Sequence, residues 1–251
     1  SSPHSSLADC DQALVLSLAG FGLRSIGRLA DAVDPVQASL HSFDDLGDKI
    51  QAATSAHNLS ELHLALGNLK RELRGEFSAS SSAELALHYA DLSGNLFERI
   101  VASSQKAYVL LATGRLCESE ALFREAEALQ LELQPSLPHL YSIQGLQYCE
   151  LLLARGRPEE ALKRAGYILN LRDSSLFLSH PLARLIELSI RSLLEPIAQQ
   201  SLSQEVLDNL FVANQEVYIV SGYLAQAEIL LCNGAPLSLI HISEPTRPSV
   251  I

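Results

Sequence analysis

The sequence predicts an all-α chain of stacked helical hairpins: a solenoid with about 40 residues per repeat and five to six repeats, the last truncated. Three observations predict it. The long segments are built from Leu, Ala, Glu, Gln and Arg, all strong helix formers. No segment is rich in Val, Ile, Thr and aromatics together, so strands have little support. Glycine-centred turns recur at a near-constant interval, each after a helical apolar pattern, and a glycine just past a helix stops it because it adopts the left-handed conformation without steric cost. With 47% hydrophobic and 19% charged residues, the chain has the composition of a folding protein.

The first turn is Ile26-Gly27-Arg28, with Gly20 seven residues before the glycine, Leu23 four before and Ala32 five after. The second is Leu66-Gly67-Asn68, with Ser60 and His63 in the two places before it. After it, Glu72 stands where a small residue is expected and Glu76 where an apolar one is, so Arg71 to Ser82, ending in Ser-Ala-Ser-Ser-Ser, is expected to be irregular or loosely packed. The third turn is Thr113-Gly114-Arg115, preceded by Ala107 and Leu110 and followed by Ser119, Phe123 and Ala126. The fourth is Arg155-Gly156-Arg157, preceded by Cys149 and Leu152 and followed by Ala161. A fifth hairpin, from about His180 to Asn214, is recognisable only by its spacing, with Glu195-Pro196 breaking the chain where glycine does elsewhere. The sixth turn is Asn233-Gly234-Ala235, with Ala227 and Leu230 before it. The glycines are 40, 47, 42 and 78 residues apart, the last interval being twice 39.

Close helix contact explains these positions. A small residue in the first helix lets the second approach, and a small residue early in the second returns the opening. Large apolar residues one turn away fill the flanks. Each pair then leaves an apolar face that only the next pair covers.

The order small, apolar, glycine, small, aromatic, small resembles the tetratricopeptide repeat, most closely over Ala107 to Ala126 and Cys149 to Ile168. Gly156-Arg157-Pro158-Glu159-Glu160-Ala161-Leu162 looks like that family's inter-helix turn, and the resemblance covers roughly residues 10–236. It implies a right-handed solenoid whose first helices line a concave side. The residues facing that side would include Arg24, His57, Glu61, Ser104, Tyr108, Glu150 and Leu153, a mixture that suits an extended peptide or a helix. The period near 40 exceeds the usual 34, so longer helices or looser linkers are expected. Glu120 to Glu127, Leu140-Tyr141-Ser142 and Tyr148 to Leu152 further resemble the repeat arrays attached to bacterial signal-transduction NTPases of the NACHT (STAND) type. That resemblance implies the alternative function, the ligand-sensing or regulatory region of a larger NTPase or helical transcription regulator. No nucleotide-binding motif occurs within the chain.

Residues 237–251 are out of character. Leu237 to Arg247 resembles the translation of a transposon-type sequencing-library adapter, so the chain reads as a repeat array over 1–236 and a non-native tail over 237–251. Tyr223 to Asn233 would then lack its partner helix, and self-association through that uncapped C-terminal face is expected. The absence of methionine reads as the mark of an internal fragment.

The net charge of −11 disfavours nucleic acid, whose phosphates an acidic surface repels. Cys10, Cys117, Cys149 and Cys232 are far apart and lie among apolar residues, which predicts small buried thiols, a reducing cytoplasmic location and no metal. No apolar run has the roughly 18 residues of a membrane helix. Asn58-Leu59-Ser60 matches the glycosylation triplet, a pattern common by chance. Phosphate loops, G-x-S-x-G and H-E-x-x-H are absent, and the adjacent pairs Asp44-Asp45 and Glu159-Glu160 point apart on a helix. His57 and Glu61 share a helix face four residues apart and are expected to bond on the groove wall. His63 replaces the Leu of the other hairpins as a core substitution. The expectation is a protein- or peptide-binding scaffold with no catalytic residues and no cofactor.

Overall fold

The computed structural model describes residues 8–69, 77–171 and 187. Among them are eight α-helices and no strand: α1 (Asp9–Ser25), α2 (Leu29–Asp45), α3 (Lys49–Ala65), α4 (Ala79–Ser93), α5 (Leu96–Ala112), α6 (Leu116–Leu133), α7 (Ser142–Ala154) and α8 (Pro158–Asn170). The chain divides into two compact units, Ser1–Arg164 and Ala165–Ile251, and α1 to α7 with the start of α8 belong to the first. Apart from Glu187, the expected fifth and sixth hairpins lie outside the described residues, as do Glu72, Glu76, Cys232 and the tail.

Each helix packs on the next from α1 to α7, and α3 also packs on α5 and α5 on α7. Odd-numbered helices therefore meet across successive hairpins. One apolar core runs through α1 to α5, with Ala13, Ala32, Leu40, Phe43, Leu59, Leu62, Ala86 and Ala102 all buried in it.

The turns share one geometry. Gly27, Gly67, Gly114 and Gly156 have φ of 76, 75, 77 and 68°. At each, the next residue's amide donates to the carbonyl five residues back: Arg28 to Leu23, Asn68 to His63, Arg115 to Leu110 and Arg157 to Leu152, all at 2.8–2.9 Å. The glycine amide donates to the carbonyl three residues back. This double closure satisfies carbonyls that a helix end would otherwise leave unpaired. The residue four before each glycine is the one whose carbonyl accepts the bond spanning five residues. Gly47 closes α2 identically, with Asp48 donating to Phe43 at 2.9 Å. The helices α1, α2 and α3 are 17 residues each with three-residue turns between them. Here the 40-residue spacing comes from long helices with tight linkers. Pro35 lies inside α2, so a proline alone does not mark a helix end in this chain.

The small positions face each other. A Cβ added at Gly20 would lie 2.3 Å from Val36 Cγ2 and 3.5 Å from the Ala32 carbonyl oxygen. The Ser119 hydroxyl donates to the Ala107 carbonyl at 2.7 Å, and the Cys149 thiol lies 3.6 Å from the Ala161 carbonyl. Each of these pairs is 12 residues apart. In the second hairpin the Ser60 hydroxyl donates to the carbonyl of Ala79 at 2.9 Å, 19 residues on. The seven-residue excess equals the excess of the 47-residue interval over 40. Ala79, buried at the start of α4, therefore takes the small position that the sequence assigns to Glu72.

The Ser-rich stretch is also corrected. Residues 71–76 lie outside the described part, but Ser78 to Ser82 are ordered. Ser78 caps α4, its side chain accepting from the Ser81 amide at 3.2 Å while the Ser81 hydroxyl accepts from the Ser78 amide at 2.9 Å. Ala79, Ser82 and Ala83 are buried. Serines that look like a linker by composition are here a reciprocal helix cap.

Candidate functional site

The odd-numbered helices carry a row of polar side chains linked from one helix to the next. Arg24 near the end of α1 forms a short ion pair with Glu61 of α3. His57, one turn earlier on α3, places Nε2 3.7 Å from Glu61 Oε1, beyond hydrogen-bond length. Thr54 of α3 donates to Glu98 of α5 at 3.3 Å, and the Tyr108 hydroxyl of α5 donates to Glu150 of α7 at 2.8 Å. Of the seven residues expected to face a partner, the first three form one cluster and Tyr108 with Glu150 a second. Leu153 is half-buried on α7. Ser104 is a correction: it is fully buried, and its hydroxyl donates to the Ile100 carbonyl at 2.8 Å. Helix α5 is covered by α3, α4, α6 and α7, which leaves little of its circumference exposed.

Burial sets the electrostatics of the first cluster. It works to raise the Glu61 carboxyl, but the charges of His57 and Arg24 and the Arg24 hydrogen bond outweigh it and hold Glu61 below the usual carboxylate range. Burial pushes His57 down, opposed by Glu61 and assisted by Arg24. His63 is buried and likewise pushed down by desolvation, and neither ring nitrogen has a hydrogen-bond partner. On α5, burial raises the Glu98 carboxyl against the Thr54 hydrogen bond.

Sequence reasoning missed a second constellation, on α6. Glu120 accepts from Arg124 Nη2 at 2.6 Å, Arg155 Nε at 2.9 Å and Arg157 Nη1 at 2.7 Å. Two turns on, Glu127 accepts both Arg164 Nη1 and Nη2, at 2.6 and 2.9 Å, and the Leu140 amide at 3.1 Å. The Arg164 guanidinium lies 4.1 Å above the Tyr148 ring, which stacks on Phe123 at 4.9 Å. Burial would raise both carboxyls, yet the arginines hold both below the usual range. A signal was present: Arg24–Glu61, Glu120–Arg157 and Glu127–Arg164 are all 37 residues apart. That separation falls about one helical turn short of the glycine interval, so it joins neighbouring hairpins.

Of the cysteines, Cys149 is buried, and burial pushes its thiol up to about 12. Cys10 and Cys117 are exposed, against the expectation of buried thiols, and Cys117 Sγ accepts from Arg155 Nη1 at 3.3 Å. Among the described residues, no group of His, Cys, Asp and Glu is placed to hold a metal ion, and no helix is long and apolar enough to cross a membrane. No protein-family model matches the chain, and no curated protein matches its sequence.

Proposed function

We propose that the chain is a tetratricopeptide-like scaffold that binds an extended or helical segment of another protein along its odd-numbered helices. On this reading it is a right-handed solenoid of roughly 40-residue repeats, works in the cytoplasm, has no catalytic centre of its own and takes no cofactor. One observation carries the reading: α1, α3, α5 and α7 present a continued series of cross-helix polar contacts, Arg24–Glu61, Thr54–Glu98 and Tyr108–Glu150. The groups are donors, acceptors and an aromatic ring in mixed order. Such a surface serves an irregular peptide backbone better than it serves a single small substrate.

The test is a selection of peptides from a random display library against the full chain. Enriched peptides should bind the wild type and lose about tenfold or more in affinity to Tyr108→Ala, as expected for a central aromatic contact. Glu132→Ala, at an exposed position on α6, should leave them unaffected. Failure to enrich any peptide, or binders indifferent to Tyr108→Ala and Glu150→Lys, would overturn the proposal.

A further inference from the structure

Glu98 is the third residue of α5, a place from which a glutamate ordinarily reaches back to the amide at the helix start. Here that amide, of Asn95, donates to the Ser93 hydroxyl at 3.1 Å, and the Asn95 side chain accepts from the Phe97 and Glu98 amides at 3.0 and 3.2 Å. The start of α5 is therefore satisfied without the Glu98 side chain, which turns across to α3 and accepts from the Thr54 hydroxyl at 3.3 Å. That neutral donor is its whole complement. Glu61 on α3 is met by Arg24 and His57, whereas among the described residues no Lys, Arg or His pairs with Glu98. Arg99, the next residue, goes to Asp91 and Glu125, and Lys49 at the start of α3 is held by Asp44. Burial raises the Glu98 carboxyl against the Thr54 bond. A carboxylate is thus drawn partly out of water with no counter-charge, an arrangement that a cation arriving from outside relieves.

The surroundings say which cation fits. Ile50 precedes Thr54 by one turn on the same face of α3, and Phe97 directly precedes Glu98 on α5. Each stands 17 residues before the turn glycine of its hairpin, Gly67 and Gly114, and the two are 40 and 53% exposed. Across the two helices the surface reads Ile50, Thr54, Glu98, Phe97: a hydroxyl and a carboxylate between two open apolar residues. Among the described residues no donor set is placed to hold a metal ion, and a bare ion would leave the apolar pair uncovered. A lysine or arginine side chain has the complementary build, an aliphatic stem that lies on apolar surface and a charged head. An aromatic ring beside the carboxylate adds attraction for that head. The net charge of −11 favours the approach of a basic segment.

We infer that the Thr54–Glu98 pair, flanked by Ile50 and Phe97, is a subsite for one lysine or arginine of the protein segment bound along the odd-numbered helices. The inference rests on the binding role proposed above and names the residue class that the segment carries. The head of that residue makes a charge-assisted pair with Glu98, and the Thr54 hydroxyl holds the carboxylate between α3 and α5.

Selection against the full chain from two peptide display libraries tests it, one random and one built without lysine or arginine. Peptides from the random library should share a lysine or arginine at one aligned position, and the second library should give binders weaker by about tenfold or more. Glu98→Gln keeps the shape of the side chain and an acceptor for Thr54, so circular dichroism should be unchanged. It should weaken the basic peptides by about tenfold or more. The same peptides with norleucine in place of the basic residue should bind wild type and Glu98→Gln alike, which assigns the loss to the pair itself. Basic peptides indifferent to Glu98→Gln, or equally tight binders from both libraries, would overturn the inference. If such peptides still depend on Tyr108, the scaffold reading survives that failure. No binder from either library would overturn both.

Discussion

The hairpins α3–α4 and α5–α6 make the same contact from opposite sides. In α3–α4 the hydroxyl belongs to the first helix, Ser60, and the carbonyl to the second, Ala79. In α5–α6 the hydroxyl belongs to the second helix, Ser119, and the carbonyl to the first, Ala107. The α1–α2 hairpin uses Gly20 against Ala32 with no hydroxyl at all. Small volume is therefore the common requirement, and the hydrogen bond is one of several ways to finish the contact. The two hairpins differ in what surrounds it. Around Ser60 stand Gln105, whose Nε2 donates to the Ser60 hydroxyl at 3.1 Å, and the buried His63. The α5–α6 hairpin instead buries Phe123 and Ala126 and anchors α6 through Glu120 and Glu127 to arginines of the next hairpin.

The largest effect should come from that anchor. Glu127→Ala leaves the mostly buried Arg164 without its carboxylate and should destabilise by about 3 kcal/mol, the low end for breaking one side of a buried pair. Urea unfolding measures it, with Glu132→Ala on the same helix within about 0.5 kcal/mol of wild type as the control. A loss under about 1 kcal/mol would class the anchor with ordinary surface pairs.

Next comes the volume requirement. Gly20→Val and Ala161→Leu should each lower stability by about 1–3 kcal/mol through overpacking. An unchanged melting curve for either would mean that the contact tolerates bulk, and that the common element is something other than size.

The hydroxyls should then separate the two hairpins. Ser119→Ala removes one bond, while the Ala107 carbonyl stays within the α5 ladder, for a loss of about 1 kcal/mol. Ser60→Ala also strips a partner from the buried Gln105 amide and should cost about 2 kcal/mol. Equal losses would remove the distinction drawn between the two surroundings.

The smallest effect is one of pH. His63 and His57 have folded-state values pushed below 6.5. Their neutral burial supports the fold fully above that value and progressively less as pH falls below it, because the unfolded chain takes up protons that the folded chain refuses. Glu61, Glu120 and Glu127 have lowered values, so their support persists to lower pH and is lost only below about 4.5, the ordinary carboxylate value. Chemical denaturation from pH 7 to 5 should show a decline that His63→Leu reduces, leucine being the residue of the equivalent positions Leu23, Leu110 and Leu152. A wild-type stability flat across that range would show that both histidines protonate in place.

Part of the candidate site was legible in the sequence. Placing Arg24, His57 and Glu61 on one side took the turn register together with the tetratricopeptide resemblance, which implied that first helices line one side. Ser104 was misplaced because the register does not say how many neighbours a helix has, and α5 has four. Arg157 and Arg164 were passed over because charged residues in a helical pattern look solvated one at a time. Only their common 37-residue offset from a carboxylate distinguishes them.

By itself the sequence pointed to the all-α class that the described residues show, the places where α1, α3, α5 and α7 stop, and the small residues that face each other in the first, third and fourth hairpins. These depend on local properties: glycine's access to the left-handed region, helix propensity and side-chain volume near a turn. The tertiary structure decided the rest. It moved the small position of the second hairpin from Glu72 to Ala79, turned a serine run into a cap, exposed Cys10 and Cys117, and gathered three arginines about Glu120. Each of these depends on which helix lies beside which, and that is set by burial summed over residues some 40 positions apart, which no local window contains.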